Sequence, residues 1–218
     1  MKPDVTEALR YLGVKDAPKD LRVQMDDIAA ELAQAVQPRY TYKVYSLVFQ
    51  GGGVHLDGTD MTLTGALAGQ MLARCDKAAV LVCTLGLPFD QRLVALQARD
   101  MAKAVLWDAC GSAFVEAGCD AAEDEISARF PELYLTDRFS PGYGDLPLAL
   151  QRPLCAALDT PRRLGVHVTE SLLLNPVKSV TAIIGLAREP QAARIRGCEH
   201  CSMKETCTIR KGGDRCGA

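Results

Sequence analysis

No apolar run in this 218-residue chain approaches the roughly 20 residues that a membrane-spanning helix needs. Met1 to Leu12 carries charge and has no apolar stretch of the signal-peptide kind. Both absences lead us to expect a cytoplasmic protein with no membrane partner. Excess charge is missing too, since the formal net charge is −2. A nucleic-acid binder would show a basic face, so we expect no nucleic-acid partner. Gly51-Gly52-Gly53 is not followed by Lys-Ser/Thr, which favours a hairpin turn over a phosphate-binding loop. No Gly-x-Gly-x-x-Gly dinucleotide fingerprint occurs. His55 and His167 are isolated, and the spacing assembles no Ser/His/Asp set and no paired carboxylates. No nucleophile stands out, so a catalyst built this way would work by positioning a reactive cofactor.

What is present is a large apolar fraction, 48% of residues, in a length that suits one domain or one domain with an appendage. Such a core does not need disulfides. The chain nevertheless has nine cysteines. Cys75, Cys83, Cys110, Cys119 and Cys155 lie in apolar or Ala-rich contexts and are expected to pack as small hydrophobes. Cys198, Cys201, Cys207 and Cys216 crowd the end of the chain, where a reducing compartment favours metal or redox chemistry over disulfides.

The periodicity predicts mixed helices and strands. Thr6–Leu12 reads as a short helix ended by Gly13, and Pro18 opens a second with Leu21, Met25, Ile28, Ala29, Leu32 and Val36 on one face. Tyr40–Phe49 is strand-like, and 54–56 is its returning partner. Thr64 is placed as the cap of a helix through about Arg74. Ala78–Leu85 is a buried strand, and Gly86 and Pro88 switch the chain into a helix. Asp100 to about Phe130 is the longest helix. Ala104, Gly111 and Gly118 recur every seven residues along it, so a neighbouring backbone approaches this face closely. Asp108 and Glu116 share a related face of that helix, as solvated or capping carboxylates or as a polar site. Leu133–Leu135, 166–168 and Ser179–Leu186 are extended, and Leu148–Leu158 is helical. Strands and helices mix without βαβ alternation, which favours α+β with a largely antiparallel sheet. Residues 1–188 form the expected domain and 189–218 a Cys-rich appendage.

One stretch carries more chemistry than any other: Arg138-Phe139-Ser140-Pro141-Gly142-Tyr143-Gly144-Asp145-Leu146-Pro147. Arg138 is permanently charged and offers a planar fork that fits a carboxylate. Pro141-Gly142 makes a sharp turn that can present backbone groups to a ligand. Tyr143 can stack on a flat ring or donate its hydroxyl, and Asp145 can accept from hydroxyls or an amine. The set suits a zwitterionic small molecule with an aromatic part. A proline-bounded loop whose arginine pairs with Asp137 or Asp145 is the plainer alternative. Thr169-Glu170-Ser171 precedes an apolar segment and reads as a helix cap, with Glu170 a second polar contact if the segment folds against the Arg138 loop.

In the tail, Cys198-x2-Cys201-x5-Cys207-x8-Cys216 opens with the spacing of a metal knuckle. The other spacings match neither a zinc ribbon nor a ferredoxin pattern. Metal or cluster binding, redox-active thiols and an incidental tail all remain open.

Arg138-Phe-Ser-Pro-Gly-Tyr143 resembles the Arg-x-x-x-Gly-Tyr motif of the activation domain of cobalamin-dependent methionine synthase. Thr169-Glu170-Ser171, Pro176 and Ser179-Val180 match a second segment of that family in order and spacing, and 104–116 resembles the helix before the motif. The whole chain is similar to free-standing relatives encoded apart from the rest of the synthase. The resemblance implies a C-shaped α+β domain, a central largely antiparallel sheet flanked by helices, which binds S-adenosylmethionine. It implies docking over a partner's corrinoid (cobalamin) whose cobalt has slipped to Co(II). A flavodoxin-like or ferredoxin donor supplies one electron, and S-adenosylmethionine methylates the Co(I) formed. The protein would then be a component of methionine synthase methyltransferase activity, in methionine biosynthesis, serving a corrinoid-binding methionine synthase or related corrinoid protein in trans. Implied contacts are Arg138 to the ligand carboxylate, the Pro141-Gly142 backbone to the adenosine part and Tyr143 closing the site, with Ser140, Asp145 and Glu170 as further binding residues. The sequence departs at Ser112, where the family has a glutamate that reaches the ligand. It also lacks the family's tyrosine pair after the Ser-Val strand and an evident counterpart of its early aspartate. The appended cysteines could hold zinc or an iron–sulfur centre. A non-catalytic corrinoid-protein partner or metal/redox accessory protein working through that tail is the alternative reading.

Overall fold

A computed structural model describes residues 1–191, and the tail cysteines Cys198, Cys201, Cys207 and Cys216 lie outside the described residues. The elements in order are α1 (Val5–Tyr11), α2 (Lys19–Ala35), β1 (Arg39–Gln50), β2 (Gly53–Leu56), β3 (Thr62–Leu63), α3 (Ala66–Leu72), β4 (Cys75–Thr84), α4 (Leu87–Gln97), α5 (Met101–Arg129) and β5 (Tyr134–Leu135). A 3-10 turn (Leu148–Leu150) leads into α6 (Gln151–Ala157), followed by α7 (Thr160–Leu164), β6 (His167–Val168), β7 (Leu174–Asn175) and β8 (Ser179–Ala187).

Six strands form one sheet in the order β3-β2-β1-β4-β8-β5, and β6 and β7 form a separate hairpin. The registered pairs β1–β2, β2–β3, β5–β8 and β6–β7 are all antiparallel. The α+β class with an antiparallel sheet is therefore as expected. Gly51 and Gly52 make the turn of the β1–β2 hairpin, which pairs Gln50 with Gly53.

The chain divides into two compact units. The first comprises Met1–Thr41, Val82–Ala122 and Thr160–Val180. Its core forms around α5, whose Trp107, Cys110, Phe114 and Cys119 are fully buried. The seven-residue spacing of glycines has a packing reason, but side chains and not a neighbouring backbone make the close approach. A Cβ at Gly111 would sit 2.3 Å from the Phe89 ring of α4, and one at Gly118 would sit 2.7 Å from Cys83 Sγ of β4. Phe89 stacks on Trp107 with ring centroids 5.9 Å apart.

Among the described residues the second unit comprises Tyr42–Leu81, Glu123–Asp159 and 181–191. Leu56, Leu63, Leu72, Leu81 and Ile126 are fully buried in its core. Gly185 on β8 is packed so closely that an added Cβ would lie 2.5 Å from Cys75 Sγ. All five scattered cysteines are buried, as small apolar side chains are expected to be.

Two local expectations are corrected. Gly65, at φ 102°, stands at the N-terminus of α3 in place of the expected Thr64 cap. Thr169-Glu170-Ser171 caps no helix, because it forms the turn between β6 and β7. The Thr169 hydroxyl accepts from the Leu173 N–H (3.0 Å), and the Thr169 N–H donates to the Leu173 carbonyl (2.8 Å). Those bonds close a hairpin across residues that would otherwise begin a helical turn.

Candidate functional site

The Arg138–Pro147 stretch belongs to the second unit and is fixed at two apolar points. Phe139 exchanges backbone hydrogen bonds with Ile183 of β8 (3.0 and 2.8 Å) and is 2% exposed. Leu146 is equally buried. Between these anchors the backbone bonds to itself. The Tyr143 N–H donates to the Ser140 carbonyl (3.0 Å), Leu146 to Tyr143 (3.0 Å) and Gly142 to Leu146 (2.9 Å). Gly142 and Gly144 have φ of 87° and 56°, values that residues with a side chain resist. Pro141 is buried, Ser140 and Tyr143 are half-buried, and Gly142 and Asp145 are exposed.

Arg138 precedes the first anchor. Its Nη1 donates to Glu123 Oε1 of α5 at 2.6 Å, with side-chain exposures of 10% and 24%. This ion pair reaches back to α5. Asp145 is engaged elsewhere. Its Oδ2 accepts from the Ala66 N–H (2.6 Å) and its Oδ1 from the Leu67 N–H (3.0 Å). These bonds cap the otherwise uncapped start of α3. The Leu67 and Ala66 N–H groups hold the Asp145 carboxyl below the usual aspartate range.

Glu170 belongs to the first unit, exposed on the β6–β7 turn. That unit also contains a polar cluster, built on the Asp108 and Ser112 positions that the sequence singled out and completed by Lys178, which it did not. Lys178 Nζ donates to Asp108 Oδ2 and to Ser112 Oγ, both at 2.9 Å, and its side chain is 15% exposed. The segment carrying it is held firmly. The Lys178 carbonyl accepts from the Leu85 N–H (2.9 Å), and the Val177 N–H donates to Asp90 Oδ2 (2.9 Å). Asp108 and Ser112 stand four apart on α5, a spacing that puts both on one face. That spacing was the available signal; what it lacked was the lysine, 70 and 66 residues away.

A cavity of about 230 Å³ opens beside this cluster, lined by Tyr11, Ser112, Glu116, Lys178, Ser179 and Val180 among others. Burial, and secondarily the Glu116 and Glu7 carboxylates, push the Tyr11 phenol up to about 12, so it stays a protonated donor at neutral pH. The wall therefore presents one ammonium, one carboxylate and hydroxyls to a small polar molecule. Among the described residues no cluster of three or more His, Cys, Asp or Glu could hold a metal ion. Among them, too, no helix is long and apolar enough to cross a membrane.

No family model matches the chain, and no curated protein matches it. Among solved structures it is similar to the crystal structure of the MetH reactivation domain bound to AdoHcy. The two are 16% identical with a TM-score of 0.66, over 94% of this chain and 77% of that one. The chain thus has the fold of that reactivation domain, as the Arg138–Tyr143 and Thr169–Val180 matches implied.

Proposed function

We propose that this protein binds S-adenosylmethionine and acts in trans to reactivate the corrinoid of a cobalamin-dependent methionine synthase. The observation that carries the proposal is the shared fold: the reactivation domain that this chain matches over 94% of its length was crystallised with AdoHcy, the demethylated form of that ligand. Residues 1–188 are taken as the activation-like domain and 189–218 as its appendage.

The residues of the second unit fit such a ligand. Arg138 is a nearly buried guanidinium already arranged around a carboxylate, the group that an amino-acid moiety would bring. Ser140 and Tyr143 offer half-buried hydroxyls, and Tyr143 adds a ring face. Pro141 and Gly142 fix the turn from which these side chains project. Asp145 contributes by locking that turn to α3. When bound, S-adenosylmethionine supplies an electrophilic methyl group. The chain's own residues bind and orient it, and orientation is the larger part of catalysis where two bound cofactors must meet. The corrinoid belongs to the partner and is the substrate. The electron comes from a flavodoxin-like or ferredoxin donor.

Calorimetric titration with S-adenosylmethionine tests the binding step. The expected result is saturable binding that Arg138→Ala abolishes. Absence of binding at millimolar ligand contradicts the proposal.

A further inference from the structure

We infer that Glu123 sets the affinity of this site, as the resident counter-ion that a ligand carboxylate must displace from Arg138 or share with it. The inference rests on the reading of Arg138 as the carboxylate contact.

Arg138 and Glu123 are 15 residues apart in sequence, yet their side chains meet at 2.6 Å. Glu123 lies in an acidic run, Glu123-Asp124-Glu125, near the end of α5. Glu125 takes a different partner, accepting from the Tyr42 hydroxyl at 3.0 Å. Within the run, it is the Glu123 carboxylate that meets the Arg138 guanidinium. A guanidinium that is 10% exposed needs a counter-ion, because an uncompensated buried charge is strongly destabilising. In the ligand-free protein Glu123 meets that need.

A carboxylate ligand arriving at the same fork brings a second anion beside the first. The two repel, and the ligand must either push Glu123 aside or accept a shared cation. Removing the Glu123 charge while keeping its shape removes this competition. At the effective dielectric of a part-exposed pair, the gain in affinity is about five- to tenfold. Glu123→Gln preserves an oxygen to accept from Arg138, so the guanidinium keeps its position. Glu123→Asp keeps the charge but withdraws it by one methylene, and should fall between the two.

The test is calorimetric titration of the full chain and its Glu123→Gln, Glu123→Asp and Arg138→Ala variants. The probes are S-adenosylmethionine, S-adenosylhomocysteine and 5′-methylthioadenosine, the last lacking the carboxylate. Glu123→Gln should bind the two carboxylate ligands five- to tenfold more tightly, Glu123→Asp should gain less, and 5′-methylthioadenosine should be unaffected. Unchanged or weaker carboxylate binding in Glu123→Gln and Glu123→Asp, with Arg138→Ala still abolishing binding, overturns it and leaves the functional reading standing. An equal gain for 5′-methylthioadenosine overturns it as well, since the effect would then be structural. If Arg138→Ala binds like the unaltered protein, Arg138 is not the carboxylate contact and the inference falls, while S-adenosylmethionine binding itself stands.

Discussion

Asp145 links positions 79 and 78 residues apart, through the N–H groups of Ala66 and Leu67. Those bonds lower its pKa, so its contribution to stability is present above the ordinary aspartate value and fades as the pH falls through the lowered one. Asp145→Asn should therefore melt below the unaltered protein at neutral pH, and the gap should narrow in acid; thermal melts across that range check it. The buried thiols make a second residue-scale expectation. Burial, with a smaller push from Asp76, raises Cys75 to about 11, and burial with Asp26 raises Cys110 to about 12. Since the thiolate is the reactive form, neither should be alkylated in the folded protein, as peptide mapping after iodoacetamide would show. At this scale the sequence was legible in residue type but not in partner. Arg138 was evident as a fixed cation, because arginine has no other protonation state. Its pairing with Glu123, and the pairing of Lys178 with Asp108, depend on which elements the fold brings together.

At the scale of elements, α5 is the most informative. Its small residues recur every seven positions, and the structure puts Phe89 against Gly111, and Cys83 and Pro38 against Gly118. Alanine at either position overfills a packed core and should cost about 1–3 kcal/mol. Gly69 in α3 is the contrast. A Cβ there meets nothing within 4 Å, so Gly69→Ala should stabilise the protein by up to about 1 kcal/mol. Denaturant unfolding of the three variants distinguishes the two behaviours. The same comparison explains what local pattern could reveal. Long periodic segments such as α2, α5, β4 and β8 were readable because one face, or both, is apolar. The Thr169-Glu170-Ser171 turn was not, because the hydroxyls that cap a helix also close a hairpin. Gly65 displaced Thr64 at the start of α3 because the cap came from a distant chain segment, Asp145.

For the whole molecule, the class followed from composition and order: strands and helices without βαβ alternation give an antiparallel sheet. The strand order β3-β2-β1-β4-β8-β5 did not follow, because β4 and β8 are neighbours across about a hundred residues and no local pattern records that pairing. Two short motifs supplied what periodicity could not, and the match to the MetH reactivation domain at 16% identity agrees with them at the level of fold. Function at this scale is a relation between proteins, so its decisive measurement needs the partner. Methionine synthase lacking its own activation domain is trapped with cobalt as Co(II), then supplied with S-adenosylmethionine and a reductant, with and without this protein. Appearance of methylcobalamin only when this protein is present is the expected result, with loss of the effect on Arg138→Ala. Equal remethylation in its absence, or none in its presence, contradicts the proposed function.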